Sequence, residues 1–322
     1  MTLRKLLLLT LSLMLLVTAC SQGELRYTNP VYDHDAPDPT VVRAADGLYY
    51  AYTTQAADKR IPILKSKDLV HWQLVGDVFA ELPTWATHDF WAPHILMRGG
   101  KYYLYYAARH KDTGAHTIGV AVADKPEGPF KDKGSPLVPY NNPATIDPFV
   151  LEDGDKLYLY WGSDRVPLLI QELSADGMSV VGDPAPVLSP STGFEGYEDL
   201  VEGPWVIKRE GYYYLFYSGD DCCDEPHYAV PGARSTSPEG PFEKYPGNPV
   251  LVAGERWNGP GHNAVIQDEA GDWWLLYHAF DRQKPEKGRV MLLDRITWGQ
   301  DGWPVRMTPS QTEVPGPQAM RK

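Results

Sequence analysis

The stretch Ile146-Asp147-Pro148-Phe149-Val150-Leu151 is followed by Gly154 and then by Leu157-Tyr158-Leu159-Tyr160-Trp161. These residues place a carboxylate before a short apolar strand, then a turn, then an aromatic-rich strand. The same unit occurs five times, with the aromatic strands beginning at residues 49, 102, 157, 212 and 273. The residue that leads each unit stands 10 or 11 positions before the aromatic strand. These leading residues are Asp38, Trp91, Asp147, Glu202 and His262.

A repeat of 53 to 61 residues with β patterning in every copy is typical of propeller blades. A small sheet with aromatic side chains on both faces cannot cover them alone, so neighbouring blades must bury them. The sequence therefore predicts an all-β protein, a five-bladed β-propeller. The first strand of each blade lies nearest the axis, so we expect the leading residues to meet at one end of a central channel. We expect these inner strands at about residues 38–43, 92–97, 147–151, 203–208 and 262–267.

The amino terminus has the pattern of an export signal. Arg4 and Lys5 precede an uncharged apolar run from Leu6 to Val17. This run is shorter than the roughly 20 residues that a membrane span needs. It leads into Val17-Thr18-Ala19-Cys20, which resembles the cleavage box of bacterial lipoproteins, in which the cysteine carries the lipid. An ordinary signal peptide with a chance cysteine is the alternative.

This leader determines the predicted organisation of the chain. We predict a lipoprotein signal peptide over residues 1–19, a lipid-anchored tether over 20–26 and a single propeller domain over 27–322. Ser21 rather than an aspartate follows Cys20, so the familiar signal for retention in the inner membrane is missing. The predicted location is therefore the cell envelope, at the outer membrane or the cell surface.

The charge balance limits the partners. The chain has 30 Lys and Arg against 42 Asp and Glu, a net charge of −12, and no basic cluster. Nucleic acid and anionic lipid surfaces are poor partners for such a protein. We therefore expect contact with the membrane through the lipid anchor alone, and a neutral ligand such as an oligo- or polysaccharide.

Once Cys20 is set aside, one pair of cysteines remains, Cys222-Cys223. Adjacent cysteines cannot connect distant strands, and the stretch has too few ligands for a zinc site. Two thiols or a vicinal disulfide are the structural interpretations. The functional interpretation is that the loop from Asp220 to Asp224 forms part of a pocket wall.

Three of the leading residues are acids, Asp38, Asp147 and Glu202. Each alone could merely end a strand, but like charges brought together cost energy unless something uses them. Glycoside cleavage uses such a set, because one protonated acid donates to the leaving oxygen and one ionised acid activates water. A third carboxylate raises the pKa of the donor and orients it. Opposite blades would leave room for the water, which favours inversion.

At these residues the chain resembles glycoside hydrolase family 43, whose five-bladed inverting enzymes act on arabinofuranosyl and xylopyranosyl linkages. The resemblance covers nearly all of residues 27 to 310. It implies that Asp38, within Pro37-Asp38-Pro39-Thr40, is the general base. Asp147, within Ile146-Asp147-Pro148, would orient the acid and tune its pKa. Glu202, within Val201-Glu202-Gly203-Pro204, would be the general acid.

The resemblance implies three further site residues. Trp91 matches the aromatic wall of the cleavage subsite, with packing between blades as the alternative. Arg289 resembles an arginine that reaches the bound sugar, with pairing to Asp281 or Asp294 as the alternative. His262 resembles an axial histidine that meets a central metal or water. No cofactor is required, and any central calcium or other cation would be held at His262 largely through water.

The substrate is less closely defined. Asp220-Asp221-Cys222-Cys223 and Gly259-Pro260-Gly261-His262 resemble the arabinanase branch, whereas Pro37 resembles the exo-acting arabinofuranosidases and xylosidases. We therefore predict cleavage of α-L-arabinofuranosyl linkages in arabinan-type plant polysaccharide, with a β-xylosidase acting on xylan as the near alternative. A non-catalytic glycan-binding lipoprotein is the alternative from another class.

Sugar-stacking platforms are expected on loops at the channel mouth rather than on the tyrosine-rich strands, which should form the core. The candidates are Trp85, Phe194 and Tyr197.

Overall fold

The computed structural model describes residues 24–138, 145–223 and 225–318. The predicted signal peptide, Cys20 and Asp224 lie outside the described residues, as does most of the predicted tether. The described chain forms β-strands and two short 3-10 turns, Phe194–Gly196 and Pro285–Lys287. Among these described residues, no helix has the length and apolar character needed to cross a bilayer.

Five antiparallel sheets follow one another along the chain, each with its strands in sequence order. They form a five-bladed β-propeller, as predicted. In chain order the strands are β1 (Arg26–Tyr27); β2 (Thr40–Arg43), β3 (Tyr49–Tyr52), β4 (Pro62–Ser66) and β5 (Trp72–Asp77) of blade 1; β6 (Trp91–Arg98), β7 (Lys101–Arg109), β8 (His116–Ala123) and β9 (Lys131–Asp132) of blade 2; β10 (Phe149–Asp153), β11 (Lys156–Trp161), β12 (Leu168–Leu173) and β13 (Val180–Leu188) of blade 3; β14 (Val201–Arg209), β15 (Tyr212–Gly219), β16 (Gly232–Ser235) and β17 (Glu243–Lys244) of blade 4; β18 (Trp257–Gln267), β19 (Trp273–Asp281) and β20 (Arg289–Arg295) of blade 5; and β21 (Val314–Pro315). The inner strands β2, β6, β10, β14 and β18 contain or overlap the predicted stretches.

The two ends of the described chain complete the ring. Blade 5 has three strands, and the segment before blade 1 lies against its outer strand through a bridge between Tyr32 and Met291. The amide of Val31 donates to the Met291 carbonyl at 2.9 Å. In addition, β1 pairs with β21 in an antiparallel ribbon. These long-range pairings hold blade 5 beside blade 1.

Alternate side chains of each aromatic strand pack against two different blades. In β7, Tyr106 belongs to the cluster shared with blade 1, whereas Tyr105 belongs to the cluster shared with blade 3. In β19, Tyr277 packs with blade 4 and Trp274 packs with blade 1. Tyr105, Tyr106 and Tyr277 are fully buried, so the aromatic strands form the core as predicted. Each such buried side chain is worth about 1.5–3 kcal/mol in transfer free energy.

Each inner strand is entered through a residue with a positive φ. The five residues are Asp38 (φ 53°), Ala92 (φ 40°), Asp147 (φ 59°), Gly203 (φ 57°) and His262 (φ 46°). Four of the five residues are not glycine, and a left-handed backbone costs them of order 1 kcal/mol each. Backbone strain of this kind concentrates at functional sites.

The five leading residues were expected to occupy equivalent positions in their blades, and the positions of the bends show that two of them do not. Trp91 and Glu202 stand one position before the bend, not at it. The register of both strands shifts just after them, between Trp91 and His94 and between Glu202 and Trp205. A bulge adds a residue to one strand of a pair, and sequence spacing alone does not reveal it.

Below the bends the axis is filled by side chains. Four prolines follow the bends at residues 39, 93, 148 and 204, and with His94 and Trp205 they line a cavity of only about 10 Å³. Such a cavity has room for about one water molecule. The side chains next to the bends therefore leave little empty space between them.

Trp85 is not a sugar platform, and the prediction for it was wrong. Its side chain is only 3% exposed and belongs to the core shared by blades 1 and 2. The indole stacks on Tyr106 with ring centroids 5.9 Å apart and donates to Asp132 at 3.2 Å. A Cβ on Gly119 would lie 2.5 Å from the indole, so this glycine makes room for the ring. Although Trp85 lies in a loop, burying its large apolar ring is favourable, so the side chain packs into the core.

Candidate active site

Asp38 lies just before β2 and is 7% exposed. Its Oδ1 accepts a hydrogen bond from Arg289 Nη1 at 3.1 Å, and its Oδ2 accepts one from Thr54 Oγ1 at 2.5 Å. His262 Nδ1 lies 3.4 Å from Oδ1, and the Asp38 amide donates to His278 Nδ1 at 3.1 Å. Burial alone would raise the pKa of Asp38, but Arg289, His262 and His278 together hold that pKa well below its usual range. Asp38 is therefore ionised at neutral pH.

Thr54 connects Asp38 to blade 2. The amide of Ala92 donates to Thr54 Oγ1 at 2.7 Å, while the amide of Thr54 donates to the Pro37 carbonyl at 2.9 Å. The neighbouring Trp91 is partly exposed. Thr54 therefore fixes the start of blade 2 beside the carboxylate.

Trp91 is supported by two side chains of blade 2. Its ring lies 4.1 Å from the ring of His116, and the Arg109 guanidinium lies 5.8 Å from its ring centroid. Arg109 Nε in turn donates to Asp89 at 3.0 Å. These contacts orient the indole and leave part of it exposed.

Asp147 lies just before β10 and is 5% exposed. Its Oδ2 accepts a hydrogen bond from the Gly203 amide at 3.1 Å. Burial, the nearby charge of Glu202 and the charge of Asp38 raise the pKa of Asp147 well above its usual range. Asp147 therefore keeps its proton to higher pH than a free carboxyl does.

Glu202 lies in β14 and is partly buried. Both of its oxygens accept hydrogen bonds from hydroxyl groups: Ser163 donates to Oε2 at 2.6 Å and Tyr228 donates to Oε1 at 2.5 Å. Burial and the charges of Glu202 and Asp147 raise the pKa of Tyr228 well above its usual range, so the phenol keeps its proton. The two hydroxyls can therefore stabilise a negative charge on Glu202.

His262 lies between the base side and the acid side of the site. Its Nδ1 is 3.4 Å from Asp38 Oδ1 and 3.9 Å from Asp147 Oδ2. Its amide donates to Ser218 Oγ at 2.7 Å. A Cβ on Gly203, whose φ is 57°, would lie 3.3 Å from the imidazole. A glycine at residue 203 therefore suits both the bend in β14 and the place of the ring.

Asp147, Glu202 and His262 offer ligand atoms that lie within 4.8 Å of one another. Glu202 already accepts two hydroxyl hydrogen bonds, and Asp147 accepts the Gly203 amide. These hydrogen bonds already occupy carboxylate oxygens, so the set fits a hydrogen-bonded pair of acids better than direct ligands of a metal. A cation held by His262 through water stays a prediction.

The structure brings Asp38, Asp147, Glu202, His262 and Arg289 together, and Trp91 stands beside them. Asp281 pairs with Arg256 at 2.7 Å, and Asp294 accepts from Tyr277 at 2.7 Å. Arg289 instead contacts Asp38, and its contact with a bound sugar stays a prediction.

Five supporting residues were not identified from the sequence: Thr54, Ser163, Ser218, Tyr228 and His278. Three of them share a signal that was available. Thr54, Ser163 and Ser218 each follow the last large aromatic residue of a β-strand by one or two positions, whereas His278 lies within β19, before Phe280. The aromatic strand ends beside the start of its inner strand, so a polar residue there reaches the leading residues. Tyr228 lies in a loop and has no such signal.

Cys222 and Cys223 form a vicinal disulfide, one of the two structural interpretations. In the same loop, Asp220 Oδ2 lies 2.5 Å from His227 Nδ1, and the His227 amide donates to the Asp221 carbonyl at 3.0 Å. The described part of the loop therefore holds His227, which lines a pocket beside the site.

A five-bladed propeller in which three carboxylates and an arginine converge at one end of the axis has the site of a sugar-cleaving enzyme. The sequence model of glycosyl hydrolases family 43 matches residues 27–304, and the chain belongs to this family. It is a glycoside hydrolase.

Relatives and a solved structure agree with this membership. Xylan 1,3-beta-xylosidase of Vibrio sp is 28% identical over 86% of this chain and 56% of its own length. Extracellular endo-alpha-(1->5)-L-arabinanase 2 of Bacillus subtilis is 28% identical over 83% of this chain and 69% of its own length. The crystal structure of a thermostable family-43 glycoside hydrolase superposes with a TM-score of 0.82 at 33% identity, covering 91% of this chain and all of that one. The chain thus spans little more than half of the Vibrio relative.

Proposed function

We propose that this protein is an inverting glycosidase that cleaves α-L-arabinofuranosyl linkages in arabinan-type plant cell-wall polysaccharide. The observation that carries the proposal is the opposite protonation of the acids. Asp38 has a pKa held well below its usual range, whereas the pKa of Asp147, beside Glu202, is raised well above its usual range. One site thus holds a ready base and a ready proton, as hydrolysis with inversion requires.

In this mechanism Asp38 takes a proton from water as the water oxygen bonds to the anomeric carbon. The bond from that carbon to the leaving oxygen breaks, and the leaving oxygen receives a proton from Glu202. Glu202 is the better donor of the acid pair because it is partly exposed, whereas Asp147 is 5% exposed. Ser163 and Tyr228 stabilise the charge that Glu202 acquires.

Trp91 and Arg289 bind the sugar whose linkage is cleaved. Trp91 presents a partly exposed ring, which suits the apolar face of a sugar. Arg289 keeps Asp38 ionised and has further N–H donors for a sugar hydroxyl.

A β-xylosidase is the second candidate, because the Vibrio relative carries that activity in its name. Membership of a glycoside hydrolase family weighs against the non-catalytic glycan-binding alternative. The test is hydrolysis of aryl α-L-arabinofuranoside, aryl β-D-xyloside and linear arabinan by purified protein, with Asp38→Asn as the inactive control. Faster hydrolysis of the arabinosyl substrates supports the proposal, and a preference for the xyloside replaces it with the second candidate.

The cell-envelope location is also a proposal. The Bacillus subtilis relative is named extracellular, and the leader of this chain resembles that of a lipoprotein. Cys20→Ser should move the protein from the membrane fraction to the soluble fraction without loss of specific activity. A wild-type protein that is already soluble would contradict lipid anchoring.

A central cation at His262, held through water, completes the proposal. Metal analysis of the purified protein, and thermal unfolding with and without EDTA, test it. Absence of bound metal together with an unchanged Tm would contradict it.

A further inference from the structure

The outer edge of blade 5 is covered by residues 31–36, here called the closing segment. Blade 5 has three strands, so β20 has β19 on one side and the closing segment on the other. The amide of Met291 donates to the Tyr32 carbonyl at 3.2 Å, and the amide of Ala36 donates to the Arg289 carbonyl at 2.9 Å. The closing segment thus takes the place of a fourth strand along β20.

Arg289 is the first residue of this edge strand. Strand ends open more readily than strand centres, and an edge amide without a partner faces solvent. The Arg289 amide has a partner, because it donates to Asp35 Oδ1 at 2.8 Å. A carboxylate acceptor makes this hydrogen bond stronger than one to a neutral carbonyl. Asp35 and the adjacent Ala36 therefore hold both the amide and the carbonyl of Arg289.

Gly288 makes room for the Asp35 carboxylate. Its φ is 74°, and a Cβ at this position would lie 2.8 Å from Asp35 Cγ. A side chain at residue 288 would therefore displace the carboxylate from the Arg289 amide. The backbone before Arg289 and the Asp35 side chain are closely fitted to each other.

The closing segment continues directly into the proposed base. Asp38 follows Asp35 by three residues, and its Oδ1 accepts the hydrogen bond from Arg289 Nη1 at 3.1 Å. Arg289 is therefore held at both ends, at its backbone by Asp35 and at its guanidinium by Asp38. An arginine side chain has large rotamer freedom, so its guanidinium stays in one place only if its backbone is fixed. Loss of the Asp35 contact should let the guanidinium move away from Asp38.

We propose that Asp35 is a positioning residue for the general base, and that it acts by fixing Arg289 beside Asp38. The inference rests on the proposed function, in which Asp38 activates water. The side chains that contact the Asp38 carboxylate are Thr54, Arg289, His262 and His278. Asp35 therefore reaches the base through the arginine. A small displacement of a group that supports the reacting atoms is enough to lower the rate of the chemical step.

The test measures kcat/KM on the aryl glycoside, arabinofuranoside or xyloside, that the wild type hydrolyses faster. Asp35→Ala removes the acceptor of the Arg289 amide and should lower kcat/KM by about three- to tenfold. Asp35→Asn removes the charge but keeps an oxygen for this amide, so it should restore most of the loss. Asp33→Ala is the matched control, because Asp33 lies in the same segment and pairs with Lys287 at 3.2 Å. It should leave kcat/KM close to the wild-type value.

A double-mutant cycle tests whether Asp35 acts through the arginine. Arg289→Met has no guanidinium to position, so adding Asp35→Ala to it should cause little further loss of kcat/KM. Equal losses from Asp35→Ala with and without Arg289 would instead indicate a general structural role or a direct contact with the sugar.

Three results overturn this inference and leave the proposed function intact: such equal losses, no loss in Asp35→Ala, or an Asp35→Asn variant no more active than Asp35→Ala. A wild-type protein that hydrolyses neither aryl glycoside overturns the proposed function, and this inference with it.

Discussion

Arg289 Nη1 lies 3.1 Å from Asp38 Oδ1, although 251 residues separate the two along the chain. The arginine begins the last strand of blade 5, and the aspartate precedes the first strand of blade 1. The contact therefore exists only because the ring closes, and it places a permanent positive charge beside a buried carboxylate.

Arg289→Met should move the acidic limb of the kcat/KM profile to higher pH. The arginine helps to hold the pKa of Asp38 well below its usual range, so its loss raises that pKa and protonates the base at a higher pH. The measurement is kcat/KM against pH on an aryl glycoside. Arg289→Lys should recover part of the shift, and Arg295→Met, which removes a surface partner of Asp272, should leave the limb in place. An unmoved limb in Arg289→Met would contradict the role of the arginine.

Asp38→Ala should lower kcat by about 10²–10⁴-fold on all substrates, because the base that activates water is removed. Azide should restore part of the rate by attacking the anomeric carbon without a base. NMR of the product should show a glycosyl azide of inverted configuration. A product that retains the configuration of the substrate would require a nucleophile in place of the base.

Glu202→Ala should be severe for natural glycosides and milder for aryl glycosides with acidic phenols. A good leaving group needs little protonation, so less stabilisation of the transition state depends on the acid. The measurement is kcat/KM across phenols of graded acidity. Equal losses across the series would assign the donor role elsewhere.

Asp147→Asn should move the alkaline limb of the pH profile to lower pH. The variant keeps an oxygen for the Gly203 amide and removes the carboxyl whose pKa is raised, so the profile loses the group that holds a proton to higher pH. The exposed Asp155 offers a control, since Asp155→Asn should not move the limb.

The same variant should change the pH dependence of stability. The folded pKa of Asp147 lies above its usual value, so the wild type loses stability as pH rises from the unfolded pKa to the folded pKa. Asp147→Asn lacks this loss, and its Tm relative to wild type should rise with pH. A difference in Tm that stays constant with pH would contradict the raised pKa.

Two tryptophans should separate stability from binding. Trp85→Ala leaves a cavity in the core and should lower the free energy of unfolding by about 3–5 kcal/mol. Trp91→Ala removes a partly exposed ring and should mainly lower kcat/KM. Denaturant unfolding and aryl glycoside kinetics on both variants check this, and the reverse pattern would exclude Trp91 from the sugar subsite.

The repeat, the fold class and the position of most site residues could be predicted from the sequence. A small aromatic sheet must be covered by its neighbours, so the number of copies gives the number of blades. Residues at matching places in a ring converge, and three acids among five leading residues therefore indicated one site. This reasoning used only the length of the sequence repeat and the residue types at its leading positions.

The exact backbone position of Trp91 and Glu202 could not be predicted in the same way. The bulges that offset these residues depend on pairing between β6 and β7 and between β14 and β15. The prediction for Trp85 failed for a related reason. The sequence indicates that Trp85 lies in a loop, but it does not show that the loop packs this side chain into the core between blades 1 and 2.

The sequence by itself determined the five-bladed ring and the acids at its mouth, because repeat length and hydrophobic pattern are local properties of the chain. Only the tertiary structure decided that the pKa of Asp38 is lowered and that the pKa of Asp147 is raised. The pKa of a carboxyl depends on burial and on charges a few ångströms away. For Asp38 those charges come from Arg289 and His262, residues of the last blade that ring closure brings to the first.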